Sequence, residues 1–238
     1  MLFNLLFVVF ANGENGVQAV PSIAAWSEES TKLLRDDVKN CSEKRRWILE
    51  IDSIANRFGN RPEVVEVLVS ILKDSNERGN VKSVSIVLLG TLGGAVARDG
   101  LIRFIETPMP DLVPVEDFEP VEWAIKNLGE IGDADSIAFL TKLASKKYWS
   151  DRTDQPVAER YKTAVLAGRY REATVNRLRE CALLGISCMG TQKSLELLYK
   201  LKNGDCADMN PTLIQNVIND AKWRISGMTP QGGPEVVD

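Results

Sequence analysis

Four times along this chain an apolar helical pattern stops at a glycine and a second helical pattern starts almost at once. The breaks read Phe58-Gly59-Asn60, Leu92-Gly93-Gly94, Ile131-Gly132-Asp133 and Met189-Gly190-Thr191. Each puts an apolar residue at a helix end and then a glycine able to take the positive φ of a C′ position. Three of the four follow the glycine with a good N-cap residue, Asn60, Asp133 or Thr191. A single hairpin of two such helices cannot bury both of its apolar faces, so units of this kind are stable only when several stack. The expected fold is therefore all-α, an α-solenoid of stacked antiparallel helix pairs with about four units and a terminal capping helix.

The unit around the third break is the most regular. Val121, Ala124, Ile125, Leu128 and Ile131 recur at helical spacing before Gly132, and Ile137, Leu140, Leu143 and Ala144 recur after it. Asp133 is expected to cap the second helix, and Asp135 suits the positive end of its dipole. In the first unit Trp47, Ile48, Ile51, Ile54 and Ala55 predict a helix over 45–58, and Asn60 with Glu63 has the form of a capping box ahead of Val64, Val67, Leu68 and Ile71. The second unit has Val84, Val87, Leu88 and Leu92, then Leu101, Ile102 and Ile105, with three extra residues in its turn. Its Gly90-Thr-Leu-Gly-Gly94 run reads as a helix turn and not a phosphate loop, because no Lys-Ser/Thr follows and no strand precedes it. The fourth unit places Leu178, Cys181, Ala182 and Ile186 before its break and Leu195, Leu198 and Leu201 after it. A last helix over 213–226 has no returning partner and is the natural end cap.

Domain organisation follows from what surrounds this array. Residues 1–19 are expected to be a signal peptide: Leu2 to Phe10 is apolar but too short to span a bilayer, and Val17-Gln18-Ala19 offers small-residue spacing for cleavage before Val20. Residues 20–44 form a polar leader with a short helix, in which Ser27-Glu-Glu-Ser30 supplies a cap. The solenoid covers 45–228, and 229–238 is a disordered tail. Two insertions interrupt it. Residues 106–122 hold four prolines, six acids and no Lys or Arg, as an extended exposed loop would. Residues 146–172 hold Tyr148, Trp149, Tyr161 and Tyr170 among Lys146, Lys147, Arg152, Arg160, Lys162, Arg169 and Arg171, with an extra short helix over 156–167.

Composition removes whole classes of chemistry. The chain contains 0 histidines, which excludes imidazole acid–base catalysis, Ser-His and Cys-His nucleophilic pairs and His-ligated metals. Its four cysteines lack Cys-x-x-Cys spacing, so no metal site and no cofactor are expected. A net charge of -4 argues against general nucleic-acid binding. Cys181 and Cys188 lie seven residues apart on one helix, about 10 Å along it and too far to bridge. Cys206 follows the returning helix back toward the start of the first, so a Cys181–Cys206 disulfide is expected if the protein is exported. Asn40-Cys41-Ser42 has the form of a glycosylation sequon.

The Leu-Gly-x-Ile-Gly-Asp turn at 128–133 resembles the short bacterial HEAT-like repeat, and the resemblance covers about residues 45–228. It implies an armadillo-like solenoid whose usual role is to bind another protein as a scaffold or adaptor. Deoxyhypusine hydroxylase-like relatives of that fold hold iron through His-Glu motifs, which a chain without histidine cannot form. DNA-glycosylase-like relatives need a basic groove. Phycobilin-lyase-like proteins share the short repeat, so an enzyme or enzyme subunit on this fold is the alternative reading, with a nucleic-acid-binding HEAT protein after it.

The expected function is thus a non-enzymatic, exported, secreted or periplasmic scaffold for a protein partner, with no nucleic acid and no membrane span after processing. Aromatics and arginine dominate interface energetics, which makes Tyr148, Trp149, Tyr161, Arg169, Tyr170 and Arg171 the first candidate binding residues. The other reading of these aromatics is that they pack an irregular insertion onto the stack. Arg103, Lys142 and Tyr199 on the second helices are expected to line an open groove.

Overall fold

The structure, a computed structural model, describes residues 26–44, 47–74, 76–106, 119–148 and 164–227, and side chains within 164–174 only at Glu172. Among these residues every regular element is helical. Helix α1 spans Glu28–Ser42. A 3-10 turn, Trp47–Glu50, leads into α2, Ile51–Phe58, and α3 follows at Pro62–Lys73. Then come α4 (Gly79–Leu92), α5 (Gly94–Glu106), α6 (Glu119–Ile131), α7 (Ala134–Ala144), α8 (Ala164–Cys188), α9 (Gln192–Asn203) and α10 (Pro211–Ile225).

The four glycine breaks are real and use one local device. Gly59, Gly93, Gly132 and Gly190 have φ of 71°, 68°, 64° and 55°, a region where any Cβ is penalised. Past two of them the expected caps form. Asp133 accepts a hydrogen bond from the Ser136 N–H at 2.8 Å, and Thr191 makes a reciprocal box with Ser194. At the first break the expectation fails. Asn60 is not the cap of α3, whose N-cap is Arg61 with no side-chain hydrogen bond. Asn60 Nδ2 instead donates 2.8 Å to the carbonyl of Leu92, at the C-terminus of α4 in the next pair.

Element boundaries differ from the sequence reading in ways that physical chemistry explains. Helix α1 is longer than expected because Ser27 accepts from the Ser30 N–H at its start while Leu34, Val38 and Cys41 bury at helical spacing. The helix expected over 45–58 is a 3-10 turn followed by only eight residues of α-helix. The three extra residues expected in the second turn belong to α5, which starts directly after Gly93. Residues 119–122 of the acidic insertion form the first turn of α6, where Pro120 is tolerated because first-turn amides need no intrahelical acceptor. Residues 164–172 of the second insertion are the front of the 25-residue α8. The remainder of both insertions, the expected signal peptide and the tail lie outside the described residues.

Packing follows the order of the chain. The first helices touch in succession, α2 with α4, α4 with α6, α6 with α8 and α8 with α10, while α3 meets α5 and both α7 and α9 pack on α8. One apolar core runs through these contacts from Leu34 and Val38 to Val217 and Ile218. Each fully buried Leu, Ile or Val in it contributes about 1.5–3 kcal/mol relative to exposure. Trp47 meets Trp123 edge to face at 5.8 Å, and so joins the lead-in of α2 to α6.

Three crossings are closed by glycines inside helices. A Cβ on Gly129 would collide with the carbonyl of Gly185, and one on Gly185 would come within 3.0 Å of the Ile125 carbonyl. Gly90 faces the side chain of Asn127 in the same way, and Gly100 faces Val69. A mid-helix glycine weakens a helix by about 0.5–1 kcal/mol relative to alanine. Close approach of α4, α6 and α8 offsets that cost. Ionic contacts then fasten one pair to the next: Arg98 of α5 donates to Asp133 at 2.6 Å and to Asp99 at 2.9 Å, and lies 2.9 Å from Asp135.

Candidate functional site

Of the predicted binding residues, Lys142 and Tyr148 come together at the end of α7. Phe139, Leu140, Leu143 and Ala144 turn inward, which leaves Lys142 on the outer face. The chain bends at Ser145 and makes one helical turn over 146–148, bringing the Tyr148 ring beneath the Lys142 ammonium. Lys142 Nζ stands 4.9 Å from the Tyr148 ring centre and 5.5 Å from that of Phe139, and the two rings meet edge to face at 6.2 Å. A cation held over aromatic faces in this way gains about 0.5–1 kcal/mol at an exposed site. Glu106, the last residue of α5, accepts from Lys142 at 3.3 Å. Arg103 sits one turn earlier on α5 and is exposed. The contacts that define the arrangement are those of Lys142 with Tyr148, Phe139 and Glu106, and Lys147, next to Tyr148 in the chain, is exposed.

The remaining candidates do not join it. Tyr199 of α9 is 38% exposed and lies under Lys222 of α10, at 5.7 Å. Trp149 and Tyr161 lie outside the described residues. Arg169, Tyr170 and Arg171 belong to the first turns of α8, and their side chains lie outside the described set.

A second polar centre, which sequence reasoning missed, surrounds Arg179 of α8. Its side chain is 0% exposed and fully used. Nε donates to the Ala144 carbonyl at 2.8 Å and Nη2 to the Asp205 carbonyl at 2.8 Å, while Asp208 receives two bonds at 2.7 and 3.0 Å. The guanidinium holds the Asp208 carboxyl below the usual carboxylate range. Arg179 therefore ties the end of α7 and the loop after α9 to α8. On the neighbouring face Arg177 makes a bidentate pair with Glu122 of α6 at 2.9 and 3.1 Å. Burial pushes the adjacent Glu180 carboxyl up, against the opposing pull of Arg177 and Lys126.

The expected Cys181–Cys206 bond is not formed, and all four cysteines are free. Cys206 does return to the start of α8, but it arrives beside Arg179, with its thiol 3.6 Å from the Ala144 carbonyl. Cys181 is two residues beyond Arg179, about 200° around the helix, and the charges near it are Lys126 and Glu122 of α6. Burial pushes the Cys181 and Cys188 thiols up to about 12, so neither is a thiolate near neutral pH. In the sequon, Ser42 is buried and its hydroxyl donates to the Lys39 carbonyl at 2.7 Å.

Two shallow cavities occur among the described residues. One of about 270 Å³ is lined by Asn176, Arg177, Glu180, Asp208, Met209, Asn210 and Leu213. The other, of about 210 Å³, lies between α1 and α2 and includes Asp37, Cys41, Lys44, Glu50 and Arg57. Neither reaches the usual size of a small-molecule site, about 300–1,000 Å³. No group of three or more His, Cys, Asp or Glu among the described residues is arranged to hold a metal ion, and none of their helices is long and apolar enough to cross a membrane. Compared with protein-family models, with curated proteins and with solved structures, the chain matches none of them.

Proposed function

We propose that this chain is a non-enzymatic protein-binding scaffold, an exported α-solenoid of HEAT-like helix pairs. The observation that carries the reading is the Lys142–Tyr148 surface: a lysine ordered over two aromatic rings, on an open helix face. Ordering a lysine costs side-chain entropy, and doing so on an exposed face prepares an anchor of the type that interfaces favour. The relay of contacts from α2 to α10 supports the solenoid part of the reading, because each first helix finds its apolar neighbour in the pair before and the pair after.

Photo-cross-linking tests this proposal directly. A benzophenone amino acid replaces Lys147, or Asn219 on the outer face of α10, in the full chain within its native extract. Discrete adducts from position 147 that are absent from position 219 and diminish with Tyr148→Ala are the expected result. Equal labelling from both positions, or none from 147, would remove the scaffold reading.

A further inference from the structure

The last two described helices share an outward face whose charge is opposite to that of the molecule. On α9, Lys193, Glu196, Tyr199, Lys200 and Asn203 are exposed and fall at steps of three and four, hence on one stripe. Helix α10 runs alongside, and contacts fix its register. Lys202 donates to Gln215 at 3.0 Å, Gln215 donates to Asn219 at 3.1 Å, and Lys222 Nζ stands 5.7 Å from the centre of the Tyr199 ring. The exposed Ile225 lies one turn beyond Lys222. Four acids occur between Gln192 and Gly227: Glu196, Asp205, Asp208 and Asp220. Asp208 is bound to Arg179, and Asp220 accepts from Ser187 and Arg224. Glu196 on the stripe and Asp205 in the loop after α9 are left against four lysines. Among the described residues the lysines in ion pairs are Lys39, Lys44, Lys142 and Lys146, so the charges of Lys193, Lys200, Lys202 and Lys222 are not neutralised within the molecule.

We propose that this α9–α10 face rests on an anionic lipid surface. The four lysines meet headgroup phosphates, and Tyr199 and Ile225 contact the headgroup layer between them. Composition selects lipid over protein. Protein interfaces are enriched in Arg and depleted in Lys, whereas the free charge here is all lysine, and the single arginine of the two helices, Arg224, is nearly buried beside Asp220. A lysine on its flexible stem meets a diffuse layer of phosphates as a point charge and needs no fixed fork geometry. A tyrosine ring, apolar in body and polar at its tip, suits the headgroup level. Each lysine near such a surface strengthens binding about fivefold. The net charge of -4 opposes the approach, so the contact is reversible and is released by salt.

Co-sedimentation of the full chain at low salt with vesicles of phosphatidylglycerol and phosphatidylcholine tests it, beside vesicles of phosphatidylcholine alone. The expected result is binding to the anionic vesicles only, reversed by added salt. Lys200→Gln with Lys222→Gln should weaken it roughly twentyfold, two lysines at about fivefold each. Glu196→Gln should tighten it, by up to about fivefold, a gain that damage to the fold cannot mimic. Lys32→Gln with Lys73→Gln makes the same charge change on α1 and α3 and should leave binding unchanged. Equal binding to the neutral vesicles, equal loss with the α1 and α3 pair, or no gain with Glu196→Gln would each overturn the assignment. So would failure of the vesicles where a labelled polyglutamate or oligonucleotide binds with the same lysine dependence. The proposal goes beyond protein binding and shares no residue with the Lys142–Tyr148 surface, so cross-linking from position 147 and sedimentation with vesicles can each fail alone.

Discussion

At the scale of single residues, the most consequential side chain is one whose sequence context gives no sign of it. Arg179 sits in Val175-Asn-Arg-Leu-Arg-Glu180, a stretch with the composition of a solvated helix face, yet it is completely buried and makes bonds to two carbonyls and a carboxylate. What buries it is the loop after α9 folding back, a tertiary event with no local pattern. Arg179→Met should cost about 3 kcal/mol in urea unfolding, because two carbonyls lose a donor in a closed site; a loss under 1 kcal/mol would mean the loop repacks. Acid titration reads the neighbouring carboxyls. Asp208 is held below its unfolded pKa of about 3.9, so its contribution is complete above that value and is lost as pH falls through the folded one. Glu180 is raised, so the fold favours its protonated form and gains stability as pH falls from neutral toward about 4. Thermal melts should therefore rise slightly on mild acidification and fall below about pH 4. Glu180→Gln should be at least as stable as the parent at neutral pH and show a smaller rise, the remainder coming from Glu130, whose carboxyl burial also pushes up. A Gln variant clearly less stable at neutral pH would show that its ion pair with Arg177 outweighs burial.

Among the elements, the breaks between helices were legible and the crossings between them were not. Gly59, Gly93, Gly132 and Gly190 announce themselves because a glycine that ends an apolar pattern has one common use, and Asp133 and Thr191 cap as their chemistry demands. Gly129 and Gly185 lie inside patterns, where a glycine signals only a weak helix, and their meaning appears when α6 and α8 cross. Asn60 misled for a related reason: it has the right chemistry for a cap, but its nearest unsatisfied group is the Leu92 carbonyl of the next pair. The candidate site was half legible. Lys142 and Tyr148 meet because Ser145 bends the chain, and the part played by Phe139 and Glu106 needed the neighbouring helix. Two alanine substitutions separate the two uses of glycine. Gly132→Ala meets mainly a backbone penalty of about 1 kcal/mol, whereas Gly129→Ala forces two backbones apart and should cost about 3 kcal/mol. Denaturant titration giving the reverse order would refute the close crossing.

On the scale of the whole molecule, the described helices pack in chain order, each on its neighbours. Helix α10 buries Ile214, Val217, Ile218 and Ala221 against its neighbours and turns Asn216, Asn219 and Lys222 to solvent. Truncation before Pro211 should expose the apolar flank of α8, and size-exclusion chromatography should then show concentration-dependent self-association. A monodisperse truncated chain would argue that α10 is dispensable. The seat of α6 has a consequence for how such a molecule can change over time. It is held on both flanks, by Gly90 against Asn127 and by Gly129 against Gly185, while Arg98 clasps the turn into α7 from outside. Over time, then, α6 is the element with least room to change, because a larger side chain on either flank is felt by α4 or by α8.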